Sequence, residues 1–351
     1  MTKTDFLKKW LGESFFEMGA FTFNRSNQKI LLGKGGYISE KENDKNPSYF
    51  YIKEFFRPKY YYYYPEDLLE VDKQEIELAI KPYLDLKIEY EEKQSYDDVF
   101  INDFNQLRPL LDGTLKKAVL VSAEKSKVKN PAELRKKVIS KSILSNNGWP
   151  YGIWNKDYGI SGATPEILFE RQSNTFRTMA LAGTKKIGQE KILRESEKDN
   201  REHQYVVDHI VDSIQHFCKD IHCEKTQIAP FAKMIHLQTN IVGELSDDIN
   251  FFDLINTLSP TAALGGYPKE EATSFLEKSQ YSQLFPRRFF GSAFGYNHND
   301  FSRALVMIRN IQFSESDIMI ESGAGIIKES VVEHELSEIK LKRETVKELF
   351  L

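Results

Sequence analysis

The sequence predicts an α+β protein, or an α/β protein built on large mixed sheets, organised as one compact domain. Three observations carry this. Strand-like and helical segments alternate without the strand–helix–strand rhythm of a doubly wound sheet. The N-terminal region is rich in short aromatic runs bounded by turn residues, FFEMGAFTF (Phe15–Phe23) and SYFYIKEFF (Ser48–Phe56), which read as strands. Two long segments keep a 3.6-residue apolar period and read as amphipathic helices.

In chain order, residues 1–92 read as a strand-rich N-terminal region of the same fold. The five tyrosines Tyr60–Tyr64 suit a strand that shows alternate rings to core and surface. A helical period runs from Ser95 to Leu115, and KAVLVSA (Lys117–Ala123) reads as a strand. GIWNKDYGISGATPEILFER (Gly152–Arg171) reads as two strands around a turn. In SEKDNREHQYVVDHIVDSIQHF (Ser196–Phe217), the residues Val206, Val207, Ile210, Val211, Ile214 and Phe217 make one apolar stripe. Glu202 stands one turn before Val206 and Asp199 three residues before Glu202, so both prolong that stripe. The C-terminal stretch ESGAGIIKESVVEHELSEIKLK (Glu321–Lys342) places a glycine turn, Gly323 and Gly325, ahead of a helix. There Glu335, Glu338 and Lys342 fall at i, i+3 and i+7, on a line that starts from Val331 and continues into Val346 and Leu349.

Composition excludes several classes. The 351 residues carry a formal charge of -4 and 40% hydrophobic residues. That is enough for a sizeable core, with no basic excess to neutralise nucleic-acid phosphates. No run approaches a membrane span, and MTKTDFLKKWLGES at the start is broken by charges, unlike a signal peptide. The two cysteines, Cys218 and Cys223, make neither a disulfide framework nor a metal set, so a reducing, cytoplasmic setting is expected.

The chemistry-bearing residues are acidic. Carboxylates on two core-facing helices, with a lysine and a glycine turn beside them, suit a hard cation and an anionic substrate. Mg²⁺ takes few protein oxygens and keeps water or substrate as its other ligands. His203 and His236 lack the spacings of a zinc set and read as satisfied structural histidines. Gly183, Gly265 and Gly266 are backbone-approach candidates.

GATPEILFE, ALAGT, SEKDNREHQYVVD, SPTAALGGYP, the arginine of ALVMIRN, and SGAGII followed by E–x–x–E–x–x–x–K occur in this order. Together they resemble the chorismate-binding enzymes, the family of isochorismate, salicylate, anthranilate and aminodeoxychorismate synthases. The resemblance covers Thr114 to the C-terminus and makes residues 93–351 the chorismate-binding catalytic region. It implies two large, mostly antiparallel sheets packed together with helices outside. It also implies roles. Lys117 matches the base of the water-using members, where amine-using members carry glutamine. Strand alternation alone does not separate Lys117 from Lys116, because both faces of that strand are apolar. Glu166 matches the general acid; Glu202 and Glu338 match ligands of Mg²⁺; Asp199 and Glu335 match acidic residues that orient the metal site. Arg309 and Lys342, with the backbone at Gly183, Thr184 and Gly323, match the groups that take the substrate carboxylates. An apolar surround is expected to keep Lys117 partly neutral and Glu166 protonated.

Ala182, where aminodeoxychorismate synthases carry a nucleophilic lysine, speaks against that activity, and no amidotransferase partner is expected. Three positions depart from the family pattern: Ser122 for an arginine, Ser259 for the histidine of H–P–T, and Phe290–Gly291–Ser292 for tyrosine–alanine–glycine. The reading is an isochorismate synthase whose product feeds menaquinone or siderophore synthesis. A salicylate synthase is the nearest alternative, and a catalytically silent chorismate-binding protein the other.

Overall fold

The computed structural model describes residues 2–23, 29–43, 45–46, 48–246, 249–298 and 301–351. Its frame is two sheets of ten strands each, paired antiparallel throughout the described residues. In the first sheet Lys117–Val128 lies beside Asp317–Ile326. Asn310–Ser314, Tyr158–Thr164 and Trp149–Trp154 follow, then Gly19–Phe23, Lys29–Lys34 and Asp67–Asp72. In the second, Met234–Leu245 pairs with Thr175–Lys186. Ile167–Gln172, Phe301–Val306 and Ala293–His298 follow, then Ser48–Lys53, Tyr60–Tyr64 and Tyr37–Ser39. Strands from residues 19–72 thus complete one end of each sheet, whereas Tyr90–Ser95 pairs with Lys117–Val128 at the other end of the first.

The sheets are joined by an apolar layer. Phe21, Tyr151 and Ile160 of the first meet Phe50, Tyr63, Phe294 and Leu305 of the second, with the Tyr151 and Phe294 rings 5.3 Å apart. Each such side chain contributes roughly 1.5–3 kcal/mol on burial, so this layer dominates the attachment of one sheet to the other. The helices Glu197–Ile214 and Phe251–Leu258 cover the second sheet from outside, through Val206, Ile210, Ile214, Leu254 and Leu258 against Phe169, Phe176 and Ala180. Among the described residues no helix is long and apolar enough to cross a membrane.

Three expectations need correction. Tyr60–Tyr64 form a strand without a solvent face: Tyr63 enters the layer between the sheets, while Tyr60, Tyr62 and Tyr64 enter the outer layer. There Tyr60 packs edge-on to Phe252 at 4.8 Å. On Glu197–Ile214 the stripe is narrower than expected, since Val207 and Val211 are half-buried and Phe217 follows the helix end. The C-terminal helix runs Val332–Phe350, and Val331, its extended N-cap, is 43% exposed. Its buried line therefore starts at Glu335.

Close strand packing leaves no room at Gly295, which pairs with Tyr51. A Cβ there would lie within contact distance of both the Tyr51 ring and the Arg303 carbonyl. Gly295→Ala is expected to lower unfolding free energy by about 1–3 kcal/mol. A urea midpoint equal to that of the unaltered protein contradicts this packing.

Candidate active site

A cavity opens between the two sheets. Lys117 enters it from the strand Lys117–Val128, and Gly323 and Gly325 from the neighbouring strand. Gly183 and Thr184 come from the second sheet, Glu202 from the helix Glu197–Ile214, and Glu338 and Lys342 from the C-terminal helix. Glu166 and Arg309 also line it. Asp199 and Glu335 line a wider, more open recess that shares Thr184 and Glu338 with the cavity. Every residue to which the resemblance gave a role therefore lies in one of two adjoining spaces, whereas Gly265 and Gly266 line neither.

The register at the lysine strand is settled by pairing. Lys117 is buried at 1% exposure, while Lys116 is exposed and donates to the Gly113 carbonyl at 2.6 Å. The surround of Lys117 is not the apolar one expected: its ammonium stands 3.1 Å from Glu202 Oε1. Gly325 makes room for this pair, since a Cβ there would lie 2.6 Å from Lys117 Cε and closer still to Glu202 Oε1. Burial alone would raise the Glu202 carboxyl, but the Lys117 and Lys198 ammoniums outweigh it and hold it at about 2.

Glu166 follows Pro165 at the start of Ile167–Gln172, and its backbone N–H donates to Thr164 Oγ1 at 3.2 Å. Burial pushes its carboxyl up to about 8, against the opposing effects of the Thr261 hydroxyl, Lys117 and Arg309. Thr261 Oγ1 donates to Glu166 Oε1 at 3.3 Å. At neutral pH this group holds its proton, as an apolar strand predicts.

Arg309 sits where the chain crosses from the second sheet to the first, in the left-handed region at φ 56°. The Ala163 N–H donates to its carbonyl at 3.2 Å. Gly162 permits the approach, because a Cβ would lie 2.6 Å from Asn310 Cα. Burial lowers the guanidinium to about 10, with Glu338 and Glu166 opposing, so it stays cationic at neutral pH. Its Nε is buried without a protein partner. Lys342 Nζ donates to the Gly323 carbonyl at 2.7 Å and stands 2.6 Å from Glu338 Oε1. In Thr175–Lys186 the register shifts between Ala182 and Thr184, so Gly183, at φ 70°, is the extra residue of a bulge, a device that re-aims a strand beside a site.

His236 was expected to be a satisfied structural histidine and is not. Its Nδ1 lies 3.1 Å from the Gly183 carbonyl and 3.2 Å from Thr184 Oγ1. A carbonyl only accepts, so Nδ1 carries the proton and Nε2 is left as an acceptor. That Nε2 is buried without a protein partner in a residue that lines the cavity, and burial pushes the imidazole down to about 3, hence neutral. His203 likewise keeps Nδ1 unpartnered while its Nε2 meets Thr239 Oγ1 at 2.8 Å. Sequence reading also missed Arg287, whose buried guanidinium donates to the carbonyls of Leu264, Val119 and Phe290 at 2.8, 3.3 and 3.3 Å. All three carbonyls belong to residues that line the cavity. A lone histidine in an apolar strand, or an arginine in a loop, leaves no spacing signal.

The departures are accommodated unequally. Ser122 faces away from the cavity, donating to Asp97 at 2.8 Å while Arg343 donates to it from the C-terminal helix at 2.8 Å. The Ser259 hydroxyl is buried and unpartnered. Phe290 lines the cavity, so a hydroxyl is missing there.

The acidic groups suit a hard divalent cation. Among the described residues no three His, Cys, Asp or Glu side chains already stand in a metal-holding arrangement. Yet Lys198 Nζ lies 2.8 Å from Glu335 Oε1 and 3.7 Å from Glu202 Oε2, and with Glu338 nearby these carboxylates hold the ammonium strongly protonated, outweighing its burial. A cation at the focus of carboxylate oxygens fits Mg²⁺ chemistry. Burial, then the neighbouring Glu338 and Glu202, push Glu335 up to about 7 even with Lys198 opposing.

The family model described as chorismate binding enzyme matches residues 69–350. The chain is 31% identical over 193 residues, 52% of its length, to isochorismate synthase MenF of Pasteurella multocida. It is 29% identical over 214 residues, 57% of its length, to anthranilate synthase component 1 of Acetivibrio thermocellus. The matches span 44% and 43% of those relatives' own lengths. In fold the chain is similar to MenF, the menaquinone-specific isochorismate synthase of Escherichia coli. The TM-score is 0.82 at 19% identity, covering 98% of this chain and 91% of the other.

The Lys117–Glu202 pair depends on the missing Cβ at position 325. Gly325→Ala is expected to force the pair apart and lower unfolding free energy by roughly 1–3 kcal/mol. Denaturant unfolding checks this, and an unchanged midpoint contradicts the geometry.

Proposed function

The chain belongs to the chorismate-binding enzyme family, and from that premise we propose that it is an isochorismate synthase. Water adds at C2 of chorismate and the C4 hydroxyl leaves as water, so the reaction is a net isomerisation. One observation carries the reading: a buried lysine and a buried, proton-holding carboxyl, Lys117 and Glu166, line the same cavity.

Lys117 acts as base only in its neutral amine form, so its ammonium first gives up a proton; the amine then takes one from the attacking water, and Glu166 gives its proton to the departing C4 oxygen. Arg309, with an unused Nε, is suited to a substrate carboxylate. Lys342 and the bulged backbone at Gly183 and Thr184 offer further anion contacts. Glu202 and Glu338 would hold Mg²⁺, with Asp199 and Glu335 orienting them; when bound, the ion supplies positive charge to a substrate carboxylate. The anthranilate synthase relative raises the rival of ammonia as nucleophile, and lysine rather than glutamine at position 117 weighs against it.

The product decides between these. Protein supplied with chorismate and Mg²⁺ is expected to form isochorismate with no ammonia or glutamine present. Anthranilate appearing on addition of ammonia overturns the reading, and salicylate as sole product replaces it with a salicylate synthase.

Acid and base are separable by mutation and pH. Lys117→Ala is expected to lose about 10²–10⁴-fold in kcat, whereas the exposed Lys116→Ala stays near the unaltered rate. Glu166 acts only while protonated, so activity is full below its raised value and is lost as pH rises through about 8. Steady-state kinetics across pH check this: kcat/KM should fall about tenfold per unit above that point. Glu166→Gln should abolish that limb together with most of the rate. A basic limb that survives in Glu166→Gln assigns the acid elsewhere.

A further inference from the structure

At the meeting of the two spaces the charges are already balanced. Glu202, Glu335 and Glu338 bring three carboxylates. Lys117 stands 3.1 Å from Glu202, Lys342 2.6 Å from Glu338, and Lys198 2.8 Å from Glu335. A divalent cation entering here finds each carboxylate with an ammonium against it. Carboxylates so paired bind a further cation only as an ammonium gives way, because like charges within a few ångströms repel strongly where water is scarce.

The three lysines are not equally free to move. Lys117 is enclosed at 1% side-chain exposure. Lys342 is anchored to the Gly323 carbonyl. Lys198 is 24% exposed, stands in the wider recess, and bridges Glu335 to the second oxygen of Glu202 at 3.7 Å. It also lies on the first turn of Glu197–Ile214, so its long stem can swing its ammonium into solvent without disturbing the helix.

We propose that Lys198 is an internal counter-ion, seated among Glu202, Glu335 and Glu338 until a divalent cation displaces it. Metal affinity is then set by competition with a side chain of the same protein. The inference rests on the reading of Glu202 and Glu338 as ligands of Mg²⁺ and adds to it a positioning residue. Lys198 joins the two acid-bearing helices while the metal is away and tunes the concentration at which the metal enters. If the seated form makes up about nine-tenths of the metal-free molecules, it weakens apparent affinity about tenfold.

The test is calorimetric titration of chelator-treated protein with MgCl₂ alone, on the unaltered chain, Lys198→Gln and Lys198→Arg. Lys198→Gln should bind Mg²⁺ about tenfold more tightly, and Lys198→Arg should stay near the unaltered value. A lysine with only a structural role predicts equal or weaker binding in Lys198→Gln; that result overturns the inference and leaves the metal reading standing. Absence of Mg²⁺ binding in both the unaltered chain and Lys198→Gln overturns the two together. Should Lys198→Gln not fold, the unaltered protein still decides. Acetylation of Lys198 by an amine-reactive ester, mapped by mass spectrometry, should rise several-fold when Mg²⁺ saturates the site, and unchanged or reduced labelling overturns the displacement.

Discussion

The Lys117–Glu202 ion pair joins the first sheet to the helix that covers the second, and it sits where solvent barely reaches. Breaking such a pair by removing one partner strands a buried charge, which costs several kcal/mol. The surrounding chain is shaped around it. Gly325 clears the space, the bulge at Gly183 redirects the facing strand, and the Ser196 hydroxyl accepts the Asp199 N–H at 3.1 Å to start the helix that delivers Glu202. The C-terminal helix must then arrive at a fixed height, because Lys342 donates to the Gly323 carbonyl of the first sheet.

The two acid-bearing helices were legible in the sequence because a 3.6-residue period turns spacing into a face. Glu202, Glu335 and Lys342 are buried for the reason their positions suggest. The lysine strand was not legible in the same way. With both faces apolar, period-2 alternation carries no orientation, and only the folded strand, with Lys117 opposite Tyr267 and buried while Lys116 is exposed, separates the two. The tyrosine strand failed for a related reason: two covering layers remove the polar face that alternation needs. Lys198 reads as an ordinary solvated first-turn lysine, since its partner Glu335 lies 137 residues away.

Buried atoms without partners need care as pointers to a ligand. Ser140 and Ser142 also bury unpartnered hydroxyls, and they lie on the helix Pro131–Leu144, outside the cavity lining. What distinguishes Arg309 Nε and His236 Nε2 is position together with kind. One is a donor and the other an acceptor, and both residues line the space that also holds Lys117 and Glu166. An anion bearing hydroxyl groups answers both.

The N-terminal strands occupy the end of each sheet remote from this chemistry. In the first sheet, Lys29–Lys34 is six strand-to-strand steps from Lys117–Val128, roughly 29 Å at about 4.8 Å per step. Backbone ladders of that width are stiff, so an altered turn or a lengthened hairpin at the far margin is absorbed locally. This gives the molecule a division of labour across its breadth. One flank is free to diverge, acquire insertions or take on surface contacts, while the opposite flank keeps its atoms in place.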